Sequence, residues 1–231
     1  MITQIGSLPY TNADEAIRYS LKHDIPFLPE LLLRGDAMMD YIKNPGKLSC
    51  LEKFKKHKFE IVKVQSIGPA TLMLSGYNED ESVGRIYDHI SAIIDGLDAK
   101  KIILFLDEPA LGQVGFDFKR LWKPIFKSFN VISGVHTCGG MNWDELFDSD
   151  IEIISFDAST YNITNYPKYR NGKKIAWGIR DSTNVIDFQE GDLLTLPCGM
   201  NPKLYTISDC EKNLERLTRI YRELTIGAYI E

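Results

Sequence analysis

Short apolar runs alternate along this chain with stretches whose apolar residues recur at helical spacing. Residues 1–6 (MITQIG) read as a strand, and 12–23 (NADEAIRYSLKH) as a helix capped by Asn12 or Asp14. The run 26–31 (PFLPEL) is a strand weakened by two prolines, and 59–67 (FEIVKVQSI) is a stronger one. Residues 69–76 and 80–98 read as helical, and KKIILFL at 100–106 is the clearest buried strand. A helix near 116–128 leads to NVISGVH (130–136), IEIISFD (151–157) and KKIAWGI (173–179), with short helical patches between them. LLTLPC (193–198) is the last strand. A long helix over 207–226 then carries apolar residues at Leu214, Leu217, Ile220, Tyr221 and Leu224.

Strands that alternate with helices imply a parallel sheet with helical crossovers. Eight such units predict an α/β fold of the TIM-like (β/α)8 barrel type, one compact domain over residues 1–231. An open doubly wound sheet is the alternative. No GxGxxG follows the first strand, which argues against a dinucleotide site. Polar and metal-capable residues fall where the strands end: Gly6 and Ser7, Glu30, Gln65, Asp107 with Glu108, His136 and Cys138, Asp157, Arg180 with Asp181, and Cys198. In a barrel these ends meet at one mouth, where barrel enzymes place their sites. In an open sheet they would spread along an edge.

Composition narrows the classes. The chain is 44% hydrophobic and 26% charged, which excludes disorder. With 27 Lys and Arg against 32 Asp and Glu, the net charge of −5 offers no electrostatic case for nucleic acid or an anionic membrane. No apolar run reaches the length of a membrane span. The opening MITQIGSLPY lacks the basic and apolar regions of a secretory leader. Four cysteines in 231 residues do not make a disulfide scaffold, so a cytoplasmic, reduced protein is expected.

His136 and Cys138 leave a strand two residues apart and so point the same way. Cys198 ends the last strand, and Asp157 ends the strand after the His-x-Cys pair. Imidazole, two thiolates and a carboxylate suit zinc better than magnesium or calcium. By spacing alone the plain alternative, two small buried thiols and a hydrogen-bonded histidine, carries equal weight. Cys50 and Cys210 lie in helical or loop stretches and are expected to be structural.

Six segments occur in order: IGSLP (5–9), KVQSIGPATLM (63–73), LDEPAL (106–111), HTCG (136–139), IISFDAS (153–159) and LPCGM (196–200). Together they resemble the catalytic barrel of cobalamin-independent methionine synthase and the related zinc-dependent corrinoid methyltransferases and uroporphyrinogen decarboxylase-like barrels. The resemblance runs from about residue 5 to residue 200. It implies a (β/α)8 barrel whose zinc activates a thiol for methylation. His136, Cys138 and Cys198 match the family's zinc ligands, and Asp157 falls where methionine synthases carry a glutamate. Ile5, Gly6 and Ser7 match the segment that holds homocysteine. Asp107 matches the aspartate that binds the homocysteine ammonium, and Glu30 lies near a second carboxylate of that kind.

The sequence also departs from the family. Full-length family members have a second, N-terminal barrel that helps bind folate, for which the 231 residues have no counterpart. The family histidine after strand seven is missing from GIRDSTN (178–184). Both departures point to methylcobalamin or a corrinoid protein as methyl donor. The expected reaction is therefore methylation of homocysteine to methionine. Another small thiol such as coenzyme M is the alternative acceptor, although Asp107 favours one that bears an ammonium. A zinc hydrolase with Asp157 or Glu108 as base, and a degenerate barrel that binds without turnover, are the readings from other classes. For Asp107 in Asp-Glu-Pro, a helix cap is as good a reading as a ligand. For Arg180 and Asp181, the plain reading is a rim ion pair. A ligand carboxylate would be met by backbone N–H groups of the Gly6–Ser7 turn.

Overall fold

The computed structural model describes residues 1–113, 115 and 117–227. The long strands form where the apolar runs are strongest: β3 (Lys58–Ile67) and β4 (Asp98–Asp107). They lead a parallel sheet that continues through β5 (Ile132–Thr137), β6 (Ile153–Asp157), β7 (Lys174–Gly178) and β8 (Leu193–Thr195). The six strands lie in chain order, each paired with the next. A separate parallel pair is made by β1 (Ser7–Leu8) and β2 (Glu30–Leu31). The helices are α1 (Ala13–Ser20), α2 (Met38–Tyr41), α3 (Leu51–Phe54), α4 (Pro69–Leu74), α5 (Glu79–Ile94), α6 (Phe118–Ser128), α7 (Trp143–Phe147) and α8 (Ile207–Gly227).

The closed eight-stranded (β/α)8 barrel expected from the sequence is not what the chain forms. The architecture is α/β, with a six-stranded parallel half-barrel and a small two-stranded sheet. Isolated bridges, Ile2 to Leu194 and Phe27 to Lys63, connect the first segments to β8 and β3. The reason is local. Residues 1–6 make only isolated backbone bonds to their neighbours, Thr3 N–H to the Leu194 carbonyl, Leu194 N–H to the Met1 carbonyl and Ile25 N–H to the Ile2 carbonyl, while the Ile2 N–H turns aside to Asp24 Oδ2. Pro26 and Pro29 have no N–H to give a ladder, so the second run pairs over two residues only. After β6 and β7 the chain turns back without an α-helix; a 3-10 turn at Ser182–Asn184 is all that follows β7 before β8.

Several elements form as the pattern predicts. Asn12 caps α1, its side chain accepting from the Asp14 and Glu15 N–H groups. Asn78 and Glu81 close a capping box on α5. On α8, Leu214, Leu217 and Ile220 are buried, and Tyr221 and Leu224 pack against the core.

Strand register fixes two faces. Leu104 and Leu106 point to the helix layer, where the large core cluster lies. Ile103 and Phe105 join Ile25, Ile153, Ala176 and Leu193 in a smaller cluster on the inner face. Gly134 makes room for it, because a Cβ there would stand 2.1 Å from the Phe105 ring. One register row runs from Asp107 through His136 and Ser155, above this floor, to Ala176 and Leu193, which belong to it. No helix among the described residues is long and apolar enough to cross a membrane.

Candidate functional site

The upper row carries the chemistry. His136 Nδ1 lies 3.0 Å from Ser155 Oγ, its neighbour across the ladder. Its Nε2 is buried and has no hydrogen-bond partner. Cys138 continues the same face two residues on, at the exposed rim. Cys198 arrives from the segment after β8, which is held to β1 by the Met200 N–H donating to the Ser7 carbonyl at 2.8 Å. One donor atom from each of His136, Cys138 and Cys198 lies within 4.8 Å of the other two. The two thiols hydrogen-bond each other, which draws Cys138 down to about 7 and pushes Cys198 up to about 12. One proton is thus easily lost from the pair, as metal binding requires.

These three residues fit a zinc ion. Tetrahedral zinc with sulfur at ~2.3 Å and nitrogen at ~2.0 Å keeps its donors roughly 3.5–3.8 Å apart, a small contraction from the observed cluster. The bond of Nδ1 to Ser155 leaves Nε2 to face the ion, the usual arrangement of a ligating histidine. Asp157, the fourth expected ligand, stands outside the cluster. Its carboxylate accepts from the Ser159 N–H, the Ser159 hydroxyl and Thr160 Oγ1, so it anchors its own turn.

Beside the cluster lies a buried polar group. Gln65 organises it: Nε2 donates to Asp107 Oδ2 at 2.9 Å, and Oε1 accepts from the Gly6 N–H at 2.8 Å and from Lys63 Nζ at 2.6 Å. Gly6 permits this approach, since a Cβ would sit 3.1 Å from the Gln65 amide carbon and 2.9 Å from the Leu28 carbonyl oxygen. Ser7 Oγ donates to Glu30 Oε2 at 3.2 Å. Glu30 Oε1 and Asp107 Oδ1 are buried without partners. Burial, with the charge of Asp107 second, pushes Glu30 up to about 8. Burial also raises Asp107 and lowers Lys63 to about 8.

The predicted residues therefore separate. His136, Cys138 and Cys198 come together, as do Gly6, Ser7, Glu30 and Asp107. Ile5 is a buried apolar neighbour. The Gly6 N–H, expected to meet a ligand carboxylate, is already given to Gln65. Asp107 caps no helix. Its neighbour Glu108 faces the other way and holds the start of α4, accepting from the Ala70 and Thr71 N–H groups, the Thr71 hydroxyl and Trp122 Nε1. That engagement takes Glu108 away from the role of a hydrolytic base. Arg180 and Asp181 form no ion pair among the described residues; Asp181 instead caps the following 3-10 turn through the Thr183 N–H. Cys50 and Cys210 are buried, as structural thiols should be. Sequence reasoning missed Lys63 and Ser155. Neither stands out in the sequence: Lys63 lies in a strand, KFEIVKVQSI, that carries other polar residues. No protein-family model matches the chain, and a search of curated proteins gives no significant match.

Proposed function

We propose that this protein is a zinc-dependent S-methyltransferase that methylates homocysteine to methionine, with a corrinoid as methyl donor. The observation that carries the reading is the adjacency of two arrangements: a His/Cys/Cys cluster within 4.8 Å, and a buried carboxylate pair with two unpartnered oxygens. Zinc, when bound, supplies a dication that keeps an acceptor thiol deprotonated at neutral pH. His136, Cys138 and Cys198 hold it, and three protein donors leave a position for the acceptor sulfur. Glu30 and Asp107 hold the acceptor's ammonium through their free oxygens.

The donor follows from which acids are absent. A folate nitrogen must be protonated as it leaves, whereas Co(I) leaves methylcobalamin without a proton. His23 and His89 are buried in the helix layer. His57 follows α3, and the segment after β7 has no histidine.

The test is to incubate zinc-loaded protein with homocysteine and either methylcobalamin or methyltetrahydrofolate, and to assay methionine. Methionine from methylcobalamin and little from the folate is the expected result. Efficient turnover from methyltetrahydrofolate without corrinoid would overturn the donor, and no methylated thiol from either would overturn the activity.

A further inference from the structure

Lys63 is a buried amine with no carboxylate in contact: Asp107 and Glu30 act on it only from beyond ion-pair distance. It is 0% exposed, on the inner face of β3, paired in register with the apolar Ile103. Its ammonium carries three N–H groups. It makes one hydrogen bond, to Gln65 Oε1, and stands 5.0 Å from the centroid of the Phe105 ring. Among the described residues no ion pair within 4.0 Å joins it to Glu30 or Asp107. Two buried carboxylates on its own side of the sheet likewise keep one oxygen each without a partner. Burying a charge is costly, and opposite charges held apart recover only part of that cost. A lysine that only filled core space would leave this cost standing. A ligand that carries both charges removes it.

The geometry of Gln65 indicates how such a ligand lies. One amide group touches Lys63 with its oxygen and Asp107 with its nitrogen. The ammonium and the carboxylate of the site are therefore bridged by one amide and its two hydrogen bonds. The two charged groups of an α-amino acid, both on one carbon, make a bridge of the same kind. Of the backbone donors of the Gly6–Ser7 turn, the Gly6 N–H is committed to the same Gln65 oxygen. Lys63, with two N–H groups unused, is the charged donor that faces the site beside them.

We propose that Lys63 is a specificity-determining residue: it receives the anionic group of a zwitterionic ligand whose ammonium lies against Glu30 Oε1 and Asp107 Oδ1. The ligand class is the free α-amino acid. A thiol with an amine alone leaves Lys63 unpaired, and a thiol sulfonate leaves both carboxylates unpaired. The inference rests on the reading of this mouth as an amino-acid thiol site, and extends it to the carboxylate end.

Calorimetric titration of the zinc-loaded protein tests it with five probes: L-homocysteine, its methyl ester, 3-mercaptopropan-1-amine, 2-mercaptoethanesulfonate and L-norvaline. The last is a zwitterion of the same length with no thiol. In the parent protein, loss of the carboxylate should weaken binding roughly 10–100-fold, as for a hydrogen bond to a charged group. In Lys63→Met that difference should shrink to about threefold or less, the scale of a solvated ion contact. L-norvaline should show the same dependence on Lys63 without touching the metal. Equal affinity of the parent for homocysteine and its methyl ester overturns the proposal, and needs no variant to fold. So does an equal weakening of homocysteine and 3-mercaptopropan-1-amine by Lys63→Met, or tighter binding of the sulfonate than of homocysteine, or failure of the folded parent to bind any of the zwitterions. If L-norvaline binds as tightly as homocysteine, with the Lys63 dependence, and no thiol is methylated, Lys63 keeps its role and the methyltransferase reading falls. If homocysteine is methylated while the carboxylate contributes nothing, the reverse holds.

Discussion

Charged side chains are buried at both ends of the six-stranded sheet, and the two burials differ in one respect. At the amino ends of β7 and β8, Asp192 accepts from Arg170 Nη1 and Nη2 at 2.9 and 2.7 Å, and also from the Ile175 N–H, Trp177 Nε1 and the Gln189 N–H. Arg170 in turn reaches Asp187 through Nε at 2.9 Å. Both oxygens of Asp192 are satisfied. At the carboxyl ends, Glu30, Asp107 and His136 each keep a buried atom with no partner, and Lys63 keeps two N–H groups. The fold can evidently satisfy a buried ion when the ion serves the fold. The unsatisfied atoms at the carboxyl ends are the ones the proposed ligand would complete.

The strongest way to break this comparison is to remove the thiols. Cys138→Ala with Cys198→Ala should take bound zinc from close to one equivalent per chain to almost none, measured by metal analysis, because a single imidazole cannot hold the ion. Cys50→Ala should leave the metal in place. Zinc retained by the double variant would mean that the upper cluster is not a metal site.

The closed network should behave as architecture. Asp192→Ala leaves the Arg170 guanidinium buried without its bidentate partner, a change worth about 3–5 kcal/mol. Urea unfolding should show that loss, with zinc content unchanged. The open network should behave in the opposite way. Asp107→Asn removes a charge whose free oxygen has no protein partner, so stability should hold or rise. Homocysteine affinity should fall by about 1.5–3 kcal/mol, the range for a hydrogen bond to a charged group. A variant that loses stability and keeps affinity would make Asp107 part of the frame.

Ser155 lies between the two kinds of residue. It touches no ligand, but its hydroxyl fixes the ring of His136. Ser155→Ala should weaken zinc binding by about tenfold, the lower end for a partner of a metal ligand, and Ser155→Thr should restore much of it. Competition with a chromophoric chelator measures both.

How much of this was legible depends on what each residue's neighbours reveal. The run KKIILFL announces β4 because a continuous apolar strand has few other uses. The His-x-Cys pair announces a shared direction because strand geometry fixes it at two residues. The segments MITQIG and PFLPEL look like strands by the same apolar criterion. Their ladders are cut short where the Ile2 N–H turns to Asp24, a partner distant in sequence, and where the two prolines have no N–H to give. That is why eight apolar runs did not close into eight strands of one sheet. Lys63 was illegible for a different reason. A lysine in a strand normally lies on a solvated face, and only the register places Phe105 and Gln65 around this one. Ser155 differs from any buried serine only through its pairing with His136.

At neutral pH the smallest expected effect falls where the comparison is weakest. His89 also has a buried nitrogen without a partner, yet it lies in α5, within the helix layer. Its Nδ1 accepts the Gly46 N–H at 3.0 Å, which places the ring proton on Nε2, and its ring stacks on Tyr41 with centroids 4.2 Å apart. This orphan atom belongs to a neutral ring, where the cost is one lost hydrogen bond, and the aromatic stack offsets it. Burial lowers its pKa from 6.5 to about 4. Below pH 6.5 the unfolded chain takes a proton that the folded chain refuses, so this histidine's contribution to stability is present above that pH and is lost as the pH falls toward about 4. Replacement by Phe keeps the stack and removes the titration. His89→Phe should therefore change stability at pH 7 by about 1 kcal/mol or less, with the Gly46 N–H losing its acceptor. At pH 5 it should gain on the parent by something on the order of 2 kcal/mol. Urea midpoints for the two proteins across this range measure the difference directly. Parallel curves would mean that His89 takes its proton in the folded protein as readily as in the unfolded chain, and its Nε2 would then be an ionised group left without a partner inside the helix layer.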